Sequence, residues 1–216
     1  MKLPFKTLER RLFHSGYERI IAVDEVGMGC LAGPVVVCAV LLDVNFYRKT
    51  RRQLYRLRDS KLLLPRQREK FAGILLSDGD FKCQLAFCRP KTIDAINIYQ
   101  ASRLAMRRAI RKLTKGAFAS AKAPFVLVDG RSKIEGLNLP QLPIVKGDRK
   151  VFAIACASII AKVARDKMMQ NYARRYPGYG FEQHKGYGTK YHQVKLAALG
   201  PCAIHRRSFA PVAKLI

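Results

Sequence analysis

Acidic residues are scarce in this sequence. The 216 residues include 15 Asp and Glu against 41 Lys and Arg, which gives a formal net charge of +26. Apolar residues make up 49%, which excludes a disordered basic tail, because such tails are poor in apolar residues. A chain of this length can bury about 70% of the surface that it exposes when unfolded, so we expect one domain over residues 1–216. The charge excess repels itself and favours a polyanionic partner, with nucleic acid ahead of an anionic membrane surface.

Long hydrophobic runs are also lacking. The longest uncharged stretch, Val26–Leu42, contains Gly27, Gly29, Gly33 and Pro34 and falls short of the about 20 apolar residues of a membrane span. The N-terminus is charged throughout and has no apolar signal-peptide segment. None of the six cysteines belongs to a Cys-x-x-Cys pair, which favours buried reduced thiols over disulfides or a zinc site. We expect a cytoplasmic protein that does not associate with membranes.

Apolar runs and turn residues predict a protein in which strands and helices are mixed. The predicted strands are Arg19–Asp24, Pro34–Leu42, Phe81–Cys88, Pro124–Asp129 and Leu142–Lys146. The predicted helices are residues 1–16, a helix opened by Pro65, Thr92–Leu113 with Gly116 after its end, Asp148–Tyr172 and Thr189–Leu199, and Tyr176–Gly188 is predicted as a loop. This order indicates the α/β class with a central mixed sheet.

Four of the few acidic residues lie at predicted ends of these elements. Asp24 and Asp129 each end an apolar strand, Glu25 follows Asp24, and Asp148 opens the long helix. Sites in open α/β sheets lie at the carboxyl ends of strands, so the four carboxylates converge if the first and fourth strands are neighbours. Like charges raise one another's pKa, and Mg²⁺ or Mn²⁺, which prefer oxygen ligands, would relieve the repulsion. The pattern predicts phosphoryl transfer on nucleic acid assisted by two metal ions.

Each of these acids also has a simpler interpretation when it is taken alone. Asp24 and Asp129 could cap turns at strand ends, Glu25 could be a solvated loop residue, and Asp148 could be the N-cap of its helix. Spacing by itself leaves the metal-site and structural interpretations about evenly balanced, because acids in a cleft are candidates for a site and not proof of one.

Eight short blocks, taken in order, resemble the type 2 ribonuclease H family (ribonuclease HII). The first is VDEVGMGCLAGPVV at Val23–Val36, close to the family's DEVGRGPLAGPVV. The others are DSK (Asp59–Lys61), INIYQASRLAM (Ile96–Met106), VLVDG (Val126–Gly130), VKGD (Val145–Asp148), ASIIAKVARD (Ala157–Asp166), YGFEQHKGYGT (Tyr179–Thr189) and HRRSFAPV (His205–Val212). Each block alone is weak, but eight in the right order and spacing make a specific match.

The resemblance implies a ribonuclease H fold, in which helices flank a five-stranded mixed sheet and a small helical region covers about residues 176–216. It implies an endonuclease that hydrolyses RNA in RNA–DNA hybrids and incises duplex DNA on the 5′ side of an embedded ribonucleotide, leaving 3′-hydroxyl and 5′-phosphate ends. The family's four catalytic and metal-binding carboxylates match Asp24, Glu25, Asp129 and Asp148, with Mn²⁺ or Mg²⁺ as the cofactor.

The resemblance also implies how ribose is told from deoxyribose. The Gly27-Met28-Gly29 loop would read the 2′-hydroxyl, which both donates and accepts hydrogen bonds, and Tyr187 would stack on the following deoxyribose. Further substrate contacts are predicted at Ser60, Lys61, Lys146, Ser158, Lys162, His184 and Lys185. The sequence departs from the family at Met28 (family Arg), Cys30 (family Pro), and Leu62 and Leu64 (family polar residues). Loss of the Arg removes a phosphate contact, and such contacts position the substrate.

Basic residues form two further candidate contact regions. Arg103, Arg107 and Arg111 recur every four residues and share a helix face, which Arg108, Lys112 and Lys115 extend. Six Lys and Arg and no acid occur from His184 to Ile216. We interpret both groups as candidate backbone-phosphate contacts, although a solvated helix face is the simpler interpretation of any single residue. Asp166 is interpreted as a structural ion-pair partner.

Two other functions explain part of the pattern. A non-catalytic nucleic-acid-binding protein accounts for the charge but not for four acids at the ends of elements. The type 3 ribonuclease H family shares the fold, but normally carries an additional N-terminal domain, and about twenty residues precede Asp24 here. We therefore favour type 2, acting on RNA–DNA hybrids and ribonucleotide-containing duplexes, with a monomer as the default state.

Overall fold

A five-stranded mixed sheet lies at the centre of the computed structural model, which describes residues 6–49, 52–54, 56–57, 59–115 and 123–216. Its strands are β1 (Arg19–Val26), β2 (Val35–Asp43), β3 (Phe81–Cys88), β4 (Phe125–Asp129) and β5 (Gln141–Ile144). Their order is β3-β2-β1-β4-β5. The first three form an antiparallel meander, and β4 and β5 run parallel to β1. This confirms the predicted class and brings the carboxyl ends of β1 and β4 side by side.

Helices flank the sheet and build the C-terminal region. They are α1 (Thr7–His14), α2 (Val44–Arg48), α3 (Pro65–Leu76), α4 (Pro90–Ile96), α5 (Ile98–Thr114), α6 (Gly147–Lys150), α7 (Phe152–Arg175), α8 (Phe181–His184), α9 (Lys190–Leu199) and α10 (Ala210–Ala213). Short 3₁₀ turns cover Arg52–Leu54 and Ser60–Leu62. The first five residues of the predicted N-terminal helix and Gly116 lie outside the described residues.

The two sheet faces bury separate cores, because alternate side chains of a strand point to opposite faces. Ile20 and Ala22 of β1 pack in the core that contains α3 and α7, whereas Ile21 and Val23 pack in the core that contains α5. The first ten residues of the long helix α7 are all buried, and all of them except Ser158 are apolar. The same alternation assigns Asp24 to the α7 face and Glu25 to the α5 face.

The structure corrects several predicted boundaries. β1 continues past the predicted end at Asp24 to Val26, so Glu25 lies within the strand and not after it. The predicted helix Thr92–Leu113 is two helices, because Asn97 has a φ of 62° and its side chain caps α5 by accepting from the Gln100 N–H. Asp148 lies in the separate short helix α6, and an extended residue, Val151, precedes α7. The predicted loop Tyr176–Gly188 contains α8.

Candidate active site

Three carboxylates converge where β1 and β4 end. Val23 pairs with Val128 in the parallel register, which places the next residue of β1, Asp24, beside Asp129. Carboxylate oxygens of Asp24, Glu25 and Asp129 all lie within 4.8 Å of one another. The sheet topology therefore produces the convergence that the strand-end positions predicted.

The electrostatics of this cluster are unfavourable for three anions. Burial raises the pKa of Asp24 well above its ordinary value, and repulsion from Glu25 and Asp129 raises it further. Burial, followed by repulsion from Asp129, raises the pKa of Glu25 to about 7. The cationic side chains of Arg103 and Lys61 act in the opposite direction on the pKa of Glu25. Three buried carboxylates repel one another when they are ionised. A hard divalent cation, which prefers oxygen ligands, would relieve this repulsion.

Asp129 is oriented by the start of α6. Its Oδ1 accepts a hydrogen bond of 2.6 Å from the Gly147 N–H. A Cβ at Gly147 would lie 2.5 Å from Ile154 Cδ1 and 3.1 Å from Asp129 Oδ1. Glycine at this position therefore lets the backbone approach the carboxylate closely enough to hold it.

Asp148 lies beside the cluster but outside the group of three. Its Oδ2 is 3.7 Å from Lys61 Nζ, and the Asp148 side chain is 7% exposed whereas that of Lys61 is 72% exposed. Burial, followed by repulsion from Asp59 and Asp129, raises the pKa of Asp148. Asp148 thus shares the electrostatic environment of the other three carboxylates. It also forms an ion pair with Lys61, whose side chain is largely exposed to solvent.

The DSK segment supports this side of the site. Asp59 is buried, accepts from the Lys61 N–H at 2.9 Å, and pairs with Arg149 Nε at 3.0 Å. The Ser60 hydroxyl lies 2.9 Å from the Ser158 hydroxyl on α7. Ser158 in turn forms a side-chain hydrogen bond with Asp24 that lowers its pKa. A polar connection therefore runs from the 3₁₀ turn through α7 to the central carboxylate.

Two buried arginines fix the glycine-rich loop that follows β1. Arg206 donates from Nη2 to the Gly27 carbonyl, from Nη1 to the Met28 carbonyl at 2.8 Å, and from Nε to the Gly33 carbonyl at 3.0 Å. Arg165 of α7 donates to the carbonyls of Ala32 and Pro34. Gly27 has a φ of 99°, a conformation that strongly favours glycine. Of these two arginines, Arg206 is among the candidate phosphate contacts predicted from the sequence, and no role is predicted there for Arg165.

Tyr187 faces the same loop. It forms an isolated antiparallel bridge with Cys30, and the residue is 38% exposed. The ring has Lys162 Nζ at 5.8 Å and the Arg165 guanidinium carbon at 5.9 Å from its centroid. The aromatic surface is therefore partly open to solvent and lies next to the carboxylate cluster.

Most of the predicted site residues line one cavity of about 270 Å³. They are Asp24, Glu25, Gly27, Met28, Gly29, Ser60, Lys61, Asp129, Ser158, Lys162 and Tyr187. Met28 also packs against the core on the α5 face. Lys162 is held in an ion pair with Asp166 at 2.7 Å, and Arg68 reaches the same carboxylate at 3.5 Å, as expected for a structural role of Asp166.

Three predicted substrate contacts lie outside this cavity. Lys146 is exposed in a left-handed conformation at the start of α6. Lys185 donates from Nζ to the Glu182 carbonyl. His184 is buried, and both of its ring nitrogens are engaged, with the Tyr179 carbonyl at 2.8 Å and the Gly186 N–H at 3.1 Å. The prediction that His184 donates to a phosphate is not supported by this geometry, because both ring nitrogens already have backbone partners and His184 does not line the cavity.

The predicted basic regions have mixed roles. Arg206 is wholly buried, so the interpretation of every C-terminal cation as a phosphate contact is wrong for this residue. On α5, Arg107 Nη1 donates to the Glu135 carbonyl at 3.1 Å and Arg111 Nη2 to the Gly136 carbonyl at 3.5 Å. These two arginines brace the loop after β4. Arg103, one turn earlier on the same helix, partly offsets the rise in the pKa of Glu25.

Sequence reasoning missed Asp59, Arg149, Arg165 and Arg206 as parts of the site's framework. Asp59, Arg165 and Arg206 lie inside sequence blocks that resemble the family, and this position was the signal that could have identified them. No helix among the described residues combines the length and apolar character needed to cross a membrane.

Comparisons with known proteins identify the family and the fold of this chain. The family model for Ribonuclease HII matches residues 21–212. The Ribonuclease HII of Caldicellulosiruptor saccharolyticus is 45% identical over 202 residues, which cover 94% of this chain and 92% of the relative. The crystal structure of ribonuclease H2 from Pyrococcus horikoshii OT3 has a TM-score of 0.73 at 23% identity, covering 91% of this chain and 96% of that one.

A second solved structure, Bst-RNase HIII in complex with Mn²⁺, has a TM-score of 0.69 at 19% identity and covers 92% of this chain and 69% of that chain. Both structures show a shared fold, whereas the family model and the curated relative decide between types 2 and 3. A non-catalytic binding protein is also set aside. The chain belongs to the ribonuclease HII family and is an endoribonuclease of the ribonuclease H type that acts on RNA–DNA hybrids.

Proposed function

We propose that this protein also incises duplex DNA on the 5′ side of a single embedded ribonucleotide and leaves 3′-hydroxyl and 5′-phosphate ends. The observation that carries the proposal is the position of the three converging carboxylates directly beside the Gly27-Met28-Gly29 loop, in one cavity with Tyr187. A cleaving group and a sugar-reading group then act on the same nucleotide.

The catalytic role is assigned to Asp24, Glu25, Asp129 and Asp148, which would hold Mg²⁺ or Mn²⁺. When bound, such ions activate the attacking water and stabilise the leaving oxygen. The chain itself orients the ligands: the Glu25 N–H donates to Asp24 Oδ1 at 2.7 Å, and the Gly147 N–H donates to Asp129. The exposed ammonium of Lys61, which lies near Asp148, is the group we assign to the substrate phosphate.

Sugar recognition is assigned to the backbone of the Gly27–Gly29 loop. Arg206 occupies the carbonyls of Gly27 and Met28, so we assign the 2′-hydroxyl to the amide side of the loop. Tyr187 supplies a flat surface for the next deoxyribose, where a 2′-hydroxyl would clash with the ring. This arrangement reads a sugar and not a base, which suits a protein whose affinity rests on phosphate contacts.

We further propose that residues 1–216 act as one domain and as a cytoplasmic monomer, with residues 176–216 contributing substrate contacts. The six cysteines are all free, which fits a reducing compartment.

The test is cleavage of an end-labelled duplex with one ribonucleotide, measured with Mn²⁺, with Mg²⁺ and with chelator, and with the ends mapped. We expect a cut on the 5′ side of the ribonucleotide that depends on the metal and is lost in Asp24→Asn. Activity that persists in chelator or in Asp24→Asn would refute the metal–carboxylate assignment. Cleavage of hybrids without cleavage of this duplex would refute the single-ribonucleotide activity.

A further inference from the structure

Three of the four histidines form a buried cluster behind Tyr187. The rings of His184 and His192 stack with centroids 4.2 Å apart, and Nε2 of His192 lies 3.1 Å from Nε2 of His205. The edge of Phe181 packs against His192, with 5.5 Å between the ring centroids. His192 and His205 are not among the residues assigned to substrate or metal above.

The hydrogen bonds fix which ring nitrogen carries the proton. A carbonyl accepts only, so Nδ1 of His192 must donate to the Tyr187 carbonyl at 2.9 Å. Neutral imidazole has one N–H, so Nε2 of His192 accepts from Nε2 of His205. Nδ1 of His205 then accepts from the Cys202 N–H at 3.0 Å. The chain of donors runs in one direction, from Cys202 through both rings to the backbone of Tyr187.

The segment that supplies His205 to this hydrogen-bonded series also supplies the arginine that holds the glycine-rich loop. His205 pairs with Ala32 through an isolated bridge, and its neighbour Arg206 binds the carbonyls of Gly27 and Met28. Adjacent residues of one segment therefore hold the two elements that we assign to the ribose and to the following deoxyribose.

We propose that His192 and His205 are positioning residues that fix Tyr187 relative to the Gly27–Gly29 loop and thereby set the preference for a ribose-to-deoxyribose junction. This inference rests on the proposed function, because Tyr187 must contact substrate for its position to affect selectivity. Other bonds also hold the Tyr187 segment, including Leu31 N–H to the Gly186 carbonyl at 2.8 Å and Arg165 Nη1 to the Lys185 carbonyl at 2.8 Å. Loss of the histidine link should therefore shift Tyr187 without unfolding the protein.

Two substitutions at one position separate positioning from packing. Asn places its amide nitrogen near the position of Nδ1, so His192→Asn keeps the donor to the Tyr187 carbonyl and loses the link to His205. Gln places its amide near Nε2, so His192→Gln keeps the link to His205 and loses the donor to Tyr187. Both remove the same ring and leave similar defects in packing.

The readout is the ratio of kcat/KM for a single-ribonucleotide duplex to kcat/KM for an all-RNA strand paired with DNA. We expect His192→Gln, which loses the donor to Tyr187, to lower this ratio ~5-fold or more, mainly through KM. His192→Asn keeps that donor but loses the support of His205, so we expect it to lower the ratio by only about 2-fold. In a Tyr187→Ala background, the effect of His192→Gln on the ratio should disappear, because the two residues act through one contact.

Equal losses on both substrates, or effects of His192→Gln and Tyr187→Ala that simply multiply, would overturn the inference. If His192→Gln fails to fold, as judged by thermal unfolding, the pair His205→Gln and His205→Asn repeats the comparison. There, Gln keeps the donor to His192 and should preserve the ratio, whereas Asn should lower it, and the reverse order would overturn the inference. A wild-type protein that leaves the single-ribonucleotide duplex intact would instead refute the proposed function itself.

Discussion

Replacing Glu25 by Gln should make the metal-free protein more stable above neutral pH, although Glu25 is a proposed catalytic residue. Burial and Asp129 raise the pKa of Glu25 from 4.5 to about 7. A carboxyl whose pKa is higher in the folded state binds its proton more tightly there, so its contribution to stability is present below pH 4.5 and is lost as the pH rises through 7.

The size of the effect follows from the pKa difference. A pKa that rises from 4.5 to about 7 corresponds to ~3–4 kcal/mol at about 1.4 kcal/mol per pH unit, and the partial exposure of Glu25 reduces the expected effect to ~1–3 kcal/mol. Relief of the repulsion on Asp24 acts in the same direction. In chelator, the unfolding free energy of Glu25→Gln should therefore gain ~1–3 kcal/mol on that of the wild type between pH 4.5 and 8.

Urea unfolding at several pH values, with chelator and with Mn²⁺, measures this difference. Mn²⁺ should stabilise the wild type by mass action and cancel or reverse the advantage of Glu25→Gln. Glu18→Gln makes the same change at an exposed position before β1 and is the matched control for the change in side-chain chemistry. Wild-type and Glu25→Gln curves that stay parallel in chelator would refute the electrostatic account of the cluster.

Three further predictions concern the framework of the site. Met28→Arg should tighten binding to a single-ribonucleotide duplex in a salt-dependent way, because an added cation gains a phosphate contact; a binding assay at two salt concentrations checks this, and unchanged affinity counts against it. Gly147→Ala should lower kcat ~10-fold or more and reduce stability by ~1–3 kcal/mol, since the added Cβ would press on Ile154 and Asp129. Steady-state kinetics measures the first effect and urea unfolding the second. Full activity would show that Asp129 does not need the hydrogen bond from the Gly147 N–H. Burial lowers the pKa of His192 and His205 to about 4, so their contribution to stability is complete above pH 6.5 and is lost as the pH falls toward 4. Acid unfolding of His205→Gln should therefore begin at a lower pH than that of the wild type. Unfolding that begins at a higher pH would contradict the neutral, hydrogen-bonded state of the two histidines.

The sheet was predictable because its strands are apolar runs bounded by polar or turn residues. The errors arose where a tertiary contact overrides the local pattern. Glu25 interrupts the apolar run and was placed after the first strand, yet its backbone pairs with Val37 of β2. Asn97 looks like an ordinary helix residue, but its positive φ and its side-chain cap divide the helix. The pairing of Glu25 leaves no signal in the local sequence. Asn97 is a residue type favoured at N-caps, but helix-forming residues on both sides outweigh that signal.

The carboxylate cluster was predictable for a different reason. Convergence of Asp24 and Asp129 needs only that β1 and β4 be parallel neighbours, which the sequence pattern left as a condition and the sheet order satisfies. The roles of Arg165 and Arg206 were not predictable from composition, since a basic chain offers many cations as candidate phosphate contacts. Their burial depends on carbonyls of the Gly27–Pro34 segment more than a hundred residues away.

The distribution of these buried cations bears on why the carboxylates remain uncompensated. Arg165 and Arg206 lie close to the cavity, yet their guanidinium groups are directed at backbone carbonyls and not at Asp24, Glu25 or Asp129. Among the ion pairs of the described residues, only that of Lys61 with Asp148, at 3.7 Å, reaches one of the four acids. An arginine bound to the cluster would lower the carboxylate pKa values and would also occupy the oxygens that a metal needs. Because both guanidinium groups bind backbone carbonyls of the loop, the carboxylate oxygens stay free to bind a metal. An ion from solution would then relieve the repulsion among the carboxylates.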